Sequence, residues 1–448
     1  MFYGWTIGVE VLVLVLGGFS RISNVLANER KAGLWDSNRL TPLQPSQLVL
    51  GYWLGPALRE FYMAAVLAGF GLAIVLAGRL PVTFWLGTQT LIASTALLFG
   101  LLALLLGLVS QRPQSGVIIA ALALVVPPIL SFIMPKFMLT SFLVPMYSIV
   151  HFFNAGPMSD RASVHDWNGR PDIFGVGINP FGLSLGLQLV TVIFLWRATL
   201  RKTANAFKPP VLRWEAITLF AILIFIQHGL IWGLWHGEFP QPFGSGTLIY
   251  DNDFPMLSIV HGGTLLLAAV VLISVSLQPE HLRVEALRLG FKNLGAVFPR
   301  SAVSLALAIT AVAAAALFTQ FAFSIADSWK AYVVATGNLL SFSLIISLLV
   351  EYCRLRFARR APGFIALCLF VLCILPFILA GVFTTSALGR LSLFAPGVLA
   401  LVNPANTGYP TNSELNCLLL TVLAHFGVLA LLFIAWRRQW KKLLLKAS

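Results

Sequence analysis

Residues 29–43 read Glu-Arg-Lys-Ala-Gly-Leu-Trp-Asp-Ser-Asn-Arg-Leu-Thr-Pro-Leu, a polar, charged island between two long apolar runs. The flanking runs, about 5–25 and 55–78, are each long enough to cross a bilayer, which takes about 20 apolar residues. The whole chain follows suit. Of its 448 residues 58% are hydrophobic and 10% charged, with a mean hydropathy of +0.88, whereas soluble domains carry about 25% charged residues. The composition is that of an integral membrane protein. In such a chain the few polar segments hold most of the functional information, because lipid-facing positions are constrained mainly to be apolar.

The same span rule predicts an all-α polytopic protein of about eleven transmembrane helices. They fall near 5–25, 55–78, 83–110, 116–135, 180–197, 215–235, 255–277, 301–322, 331–352, 363–384 and 414–436. Charge orients them. The segments 21–59, 111–115, 197–213, 278–300 and 353–362, with the tail from 437, hold 24 of the 30 Lys and Arg. That fourfold bias makes their side cytoplasmic, with the amino terminus outside and the carboxyl terminus inside. An odd number of spans requires the same arrangement. The net charge of +14 is thus a topology signal and implies no nucleic-acid partner. The start, Met-Phe-Tyr-Gly-Trp, lacks a basic region and a small-residue cleavage pattern, so it reads as a retained first span.

Two halves follow, 1–212 with about five spans and 213–448 with about six. Gly116–Lys136 parallels Gly363–Ala380, each half carries an external excursion (136–179 and 385–413) with an Asn-Pro pair, and each closes on a Trp-Arg tail. Equivalent helices enter from the same side, so the repeat is direct and parallel. The first half lacks the counterpart of the span Trp214–Trp235 supplies in the second.

The island at 29–43, spaced E-R-x-x-G-x-x-D and then T-P-L, resembles the first cytoplasmic loop of ABC-2 type transporter permeases. Glu29, Arg30, Gly33, Asp36, Thr41, Pro42 and Leu43 match, and Gly51-Tyr52 stands where that family usually has Gly-Lys. The resemblance implies the permease of an ATP-driven exporter, with segment 26–55 as the lever that couples it to its motor. It also implies that ABC ATPase subunits, two copies or a heterodimer, bring the ATP and magnesium. The chain has no G-x-x-x-x-G-K-[ST], so it needs no cofactor of its own and is not itself an enzyme. Within the lever, Thr41-Pro42 is a helix-start signal, and Leu48, Val49, Tyr52 and Trp53 recur at helical spacing. The alternative is an interfacial amphipathic connector.

The matching loop of the second half, 278–300, carries Glu280, Arg283, Arg288 and Lys292 on a basic amphipathic pattern without the family's signature. It reads equally as a motor contact or a membrane-surface helix.

Ionisable residues inside spans are expensive and carry a functional hypothesis by default. Glu10, His228, His261 and His425 qualify, with Gln89 and Gln188 as milder cases; a structural hydrogen bond between helices is the competing role. The external group His151, Asp160, His165, Asp166 and Asp172 has no metal-ligand spacing and reads as a solvated loop, and the four cysteines read as small buried hydrophobes. Two rival functions remain at this level. One is an ion-coupled secondary transporter, whose mark is acidic residues near the midplane. The other is a membrane-embedded enzyme acting on lipid-linked substrates through loop 151–172.

Overall fold

The computed structural model describes residues 2–39, 42–109, 142–144, 149, 172–174, 176–205, 210–235, 306, 329–357, 364–365, 368 and 412–447. Among them nearly everything is helix. In chain order these are α1 (Phe2–Val11), a π-helical turn (Leu12–Gly17), α2 (Gly18–Lys31), α3 (Leu34–Arg39), α4 (Pro45–Ala77) and α5 (Val82–Val109). A two-residue hairpin, β1 (Asp172–Ile173) and β2 (Val176–Gly177), precedes α6 (Pro180–Ala204), α7 (Arg213–Trp235), α8 (Trp329–Phe357) and α9 (Asn412–Ala447). Among the described residues five stretches are long and apolar enough to cross a membrane: Phe2–Lys31, Pro45–Ala77, Val82–Leu108, Pro180–Ala204 and Val422–Lys442. This is a helical membrane protein.

The expected spans at 5–25, 55–78, 83–110, 180–197, 215–235, 331–352 and 414–436 fall on described helices, most of which run several residues further. Those at 116–135, 255–277, 301–322 and 363–384, and with them the repeat, lie outside the described residues apart from isolated positions. The all-α expectation missed the hairpin. It sits where Asp-Ile-Phe-Gly-Val-Gly turns back on itself, pinned by the Phe174 amide donating to the Gly229 carbonyl at 3.1 Å.

The chain divides into two compact units, residues 1–210 with 226–244, and residues 211–225 with 245–448. In the first, α5 is the central helix, flanked by α2, α4 and α6. Val15, Phe19, Ile22 and Leu26 of the first span meet Leu98, Leu101, Leu104 and Leu108 of α5. Toward the other end Tyr3, Ile7 and Leu14 meet Ala64 and Val75 of α4 and Ile92 of α5.

Helix α4 shows how the bilayer inverts the usual amphipathic rule. Its buried face is Ala57, Glu60, Ala64, Gly71 and Val75, whereas Leu58, Tyr62, Val66 and Phe70 point outward. Small residues are what a membrane interface selects, because lipid already solvates the large apolar ones. Close approach is evident at Gly107, where a Cβ would come within 2.9 Å of Leu26, and at Gly100, where it would strike the Trp53 indole.

In the second unit α8 and α9 pack side by side. Leu348 and Leu355 of α8 lie against Trp436 and Trp440 of α9.

Candidate functional site

The island at 29–43 folds as a compact elbow between the first span and α4. Helix α2 ends at Lys31 because Ala32 and Gly33 turn back, the Ala32 amide bonding the Asn28 carbonyl at 3.0 Å. Gly33 has φ +74°, the left-handed conformation that closes helices and suits glycine. The short α3 then carries Trp35 and Asn38 back toward α4.

Side-chain hydrogen bonds fix the elbow. The Tyr52 hydroxyl of α4 donates to the Glu29 carboxylate. The same oxygen accepts from Asn38 Nδ2 at 2.6 Å, and the Trp35 ring meets the Tyr52 ring edge-on at 5.0 Å. Arg30 reaches the end of α5, where its Nη1 donates to the carbonyls of Gly107 at 3.2 Å and Leu108 at 2.6 Å. A guanidinium that donates to two backbone carbonyls makes charge-assisted hydrogen bonds, which are stronger than neutral ones. Glu29 and Arg30 thus face opposite neighbours and bind α2, α3, α4 and α5 at one end of the bundle.

Gly33, Pro42, Leu43 and Gly51 are exposed on this elbow, and with Leu34, Leu50 and Leu54 they form its outer surface. Asp36 lies in α3; Thr41 falls outside the described residues. The helix start differs from the Thr41-Pro42 reading. Helix α4 begins at Pro45, with Gln44 as cap and the Gln47 side chain accepting from the Gln44 amide at 3.0 Å. Both proline pairs fit a first turn by type, and Thr41 too has a Gln three positions on, so the sequence pattern alone does not choose between them.

Inside the bundle, Glu10 is buried and accepts from Gln89 Nε2 at 3.0 Å. Gln188 is also buried, donating to Thr95 Oγ1 and the Leu143 carbonyl, each at 3.0 Å. His425 is buried with Nδ1 2.9 Å from Ser341 Oγ. His228 belongs to α7, and His261, Glu280, Arg283, Arg288 and Lys292 lie outside the described residues, as does loop 151–171.

Among the described residues, three buried acids escaped the sequence reading: Glu60, Glu215 and Glu351. Glu215 serves the start of α7, its carboxylate accepting from the Leu212 amide at 3.0 Å. Arg21 Nε pairs with Glu60 Oε1 at 2.9 Å, while Glu60 Oε2 is buried without a hydrogen-bond partner. Gly17 stands over the Glu60 stem, where a Cβ would lie 3.2 Å from Cγ. The signal was present: all three acids fall inside expected spans, but one charge in twenty residues barely moves a hydropathy average. Among the described residues no group of His, Cys, Asp and Glu could hold a metal ion.

No family model, no curated protein and no solved structure matches this chain.

Proposed function

We propose that the chain is the membrane-spanning permease subunit of an ABC-2 type exporter, driven by separately encoded ATPase subunits and working by alternating access. The observation that carries this reading is the elbow of residues 29–52. A permease without a nucleotide site needs a stiff projection that passes motor closure to several helices at once. The elbow has the right construction, because Glu29, Arg30, Asn38 and Tyr52 tie it to α2, α3, α4 and α5. A push on its exposed surface would reach the Gly107–Leu108 end of α5 directly through Arg30. The two halves would then rock against each other, with the substrate moving between them.

The test is affinity purification of the full chain from its own cells. An ATPase with a phosphate-binding loop should copurify, and scrambling residues 33–43 should abolish the association while membrane insertion persists. Retention of the ATPase by the scrambled chain would overturn the reading.

One observation favours a second reading, an ion-coupled secondary transporter. The carboxylates of Glu10 and Glu60 are both buried in one helix bundle, and Glu60 keeps an oxygen without a partner. Such groups mark coupling-ion sites in proteins of that class. Uptake or efflux in liposomes driven by a proton gradient, with no ATPase present and lost in Glu60→Gln, would select it.

A further inference from the structure

At the carboxyl-terminal end of α9 four cations are exposed: Arg437, Arg438, Lys441 and Lys442. At about 100° per residue they share one side of the helix, opposite Trp436 and Trp440. Those two indoles are buried against Leu348 and Leu355 of α8, which fixes how α9 is rotated and therefore where the cations point. Arg356, the residue after Leu355, is exposed at the same end of the pair. None of the five carries an ion pair among the described residues, and no Asp or Glu follows Glu414 in the chain.

Helix polarity does not account for the cluster, since the effect of the macrodipole is confined to the last turn and Arg437 lies ten residues before Ala447. The helix is continuous from Asn412 to Ala447, 36 residues, whereas the hydrocarbon core needs about 20. The uncharged stretch before the cations, 415–436, is long enough to fill that core, which puts the cations at headgroup level.

We propose that this end of the α8–α9 pair is a binding surface for anionic phospholipid headgroups of the adjoining leaflet. Arg356, Arg437, Arg438, Lys441 and Lys442 supply the charge, and the two tryptophans hold the strip in orientation. Each cation near an anionic surface contributes on the order of fivefold in affinity, and the attraction is screened by salt. The surface is independent of the exporter reading, since it requires no motor and no substrate.

The experiment uses the full-length chain in detergent micelles holding equal amounts of phosphatidylglycerol and phosphatidylcholine. Lipids that remain with the protein after size-exclusion chromatography are counted by mass spectrometry. Phosphatidylglycerol should exceed phosphatidylcholine at least threefold, and the excess should fall by half or more in R437Q/R438Q/K441Q/K442Q. The charge-preserving R437K/R438K should keep it. If the fourfold variant does not accumulate, the pairs R437Q/R438Q and K441Q/K442Q should each reduce the excess, and 0.5 M NaCl should reduce it in the unaltered protein. Equal retention of the two lipids, an excess that survives the substitutions, or one indifferent to salt would each overturn the proposal.

Discussion

At the scale of single residues, the Tyr52 hydroxyl is the contact on which the elbow turns. It donates to Glu29 and accepts from Asn38, so Tyr52→Phe removes one bond from each without changing the ring that meets Trp35. Leaving part-buried polar groups without partners costs about 1–3 kcal/mol, so thermal unfolding of the purified variant should begin at lower temperature. If the elbow couples a motor, the same variant should also lose substrate-stimulated ATP hydrolysis in the reconstituted complex. The Arg21–Glu60 pair predicts an asymmetry. Arg21→Ala strands a buried carboxylate and should destabilise by up to about 3 kcal/mol, whereas Glu60→Gln removes that charge and should cost less. Equal unfolding temperatures for the two variants would refute this account of the pair. Which residues are ionisable was legible in the sequence; their partners were not. Glu10 and Gln89 are 79 positions apart, and Ser341 and His425 are 84 apart, so no local pattern joins them.

At the scale of elements, what was legible was the existence of helices, because some twenty apolar residues admit little else in lipid. Their ends were not. Hydropathy marks where the chain leaves the hydrocarbon, but backbone hydrogen bonding continues into the headgroups and beyond. Helix α4 therefore starts at Pro45, ten residues before the apolar run, and α9 continues eleven beyond 436. The start of α4 yields a sharp comparison. Gln47→Ala should destabilise the elbow by about 0.5–2 kcal/mol, because it removes the acceptor of the Gln44 amide at the helix start, measured by proteolysis of the elbow in membranes. Leu43→Ala, at an exposed position ahead of the helix, should leave the same proteolysis rate unchanged. The glycine at 107 gives a second test: Gly107→Ala pushes a methyl into Leu26, so overpacking should lower the unfolding temperature by an amount equivalent to about 1–3 kcal/mol.

For the whole molecule, the testable property is orientation. Cysteines placed singly at Ser37 and Asn205, in protein otherwise free of cysteine, should be shielded from an impermeant thiol reagent in intact cells. Cysteines at Ser163 and Ser245 should label. Labelling at Ser37 would put the elbow outside and remove any contact with a cytoplasmic motor. The charge bias that gives this expectation is spread over six segments, so a global property is read more securely than any one site. The candidate site was legible only in outline. The E-R-x-x-G spacing marked the elbow, yet the binding of Arg30 to α5 needed the three-dimensional fold, because Leu108 is 78 residues away.

The π-helical turn at Leu12–Gly17 changes how the length of the first span should be understood. Such a turn amounts to one residue more than a regular helix needs over the same stretch. Glu10 and Arg21 are eleven residues apart, which in an unbroken helix is three full turns and about 20°, so both would face one neighbour. The surplus residue separates them: Glu10 meets α5 at Gln89 and Arg21 meets α4 at Glu60. Deleting Val13 would therefore convert the turn to ordinary helix and keep both facings. An indel of this kind in a membrane helix ordinarily scrambles every contact beyond it; here the shortened chain should insert and keep both pairs, as judged by its unfolding temperature. A related chain one residue shorter in this span would then align through a gap at 12–17 with its bundle intact, and a single-residue insertion elsewhere in the span would find no such slack.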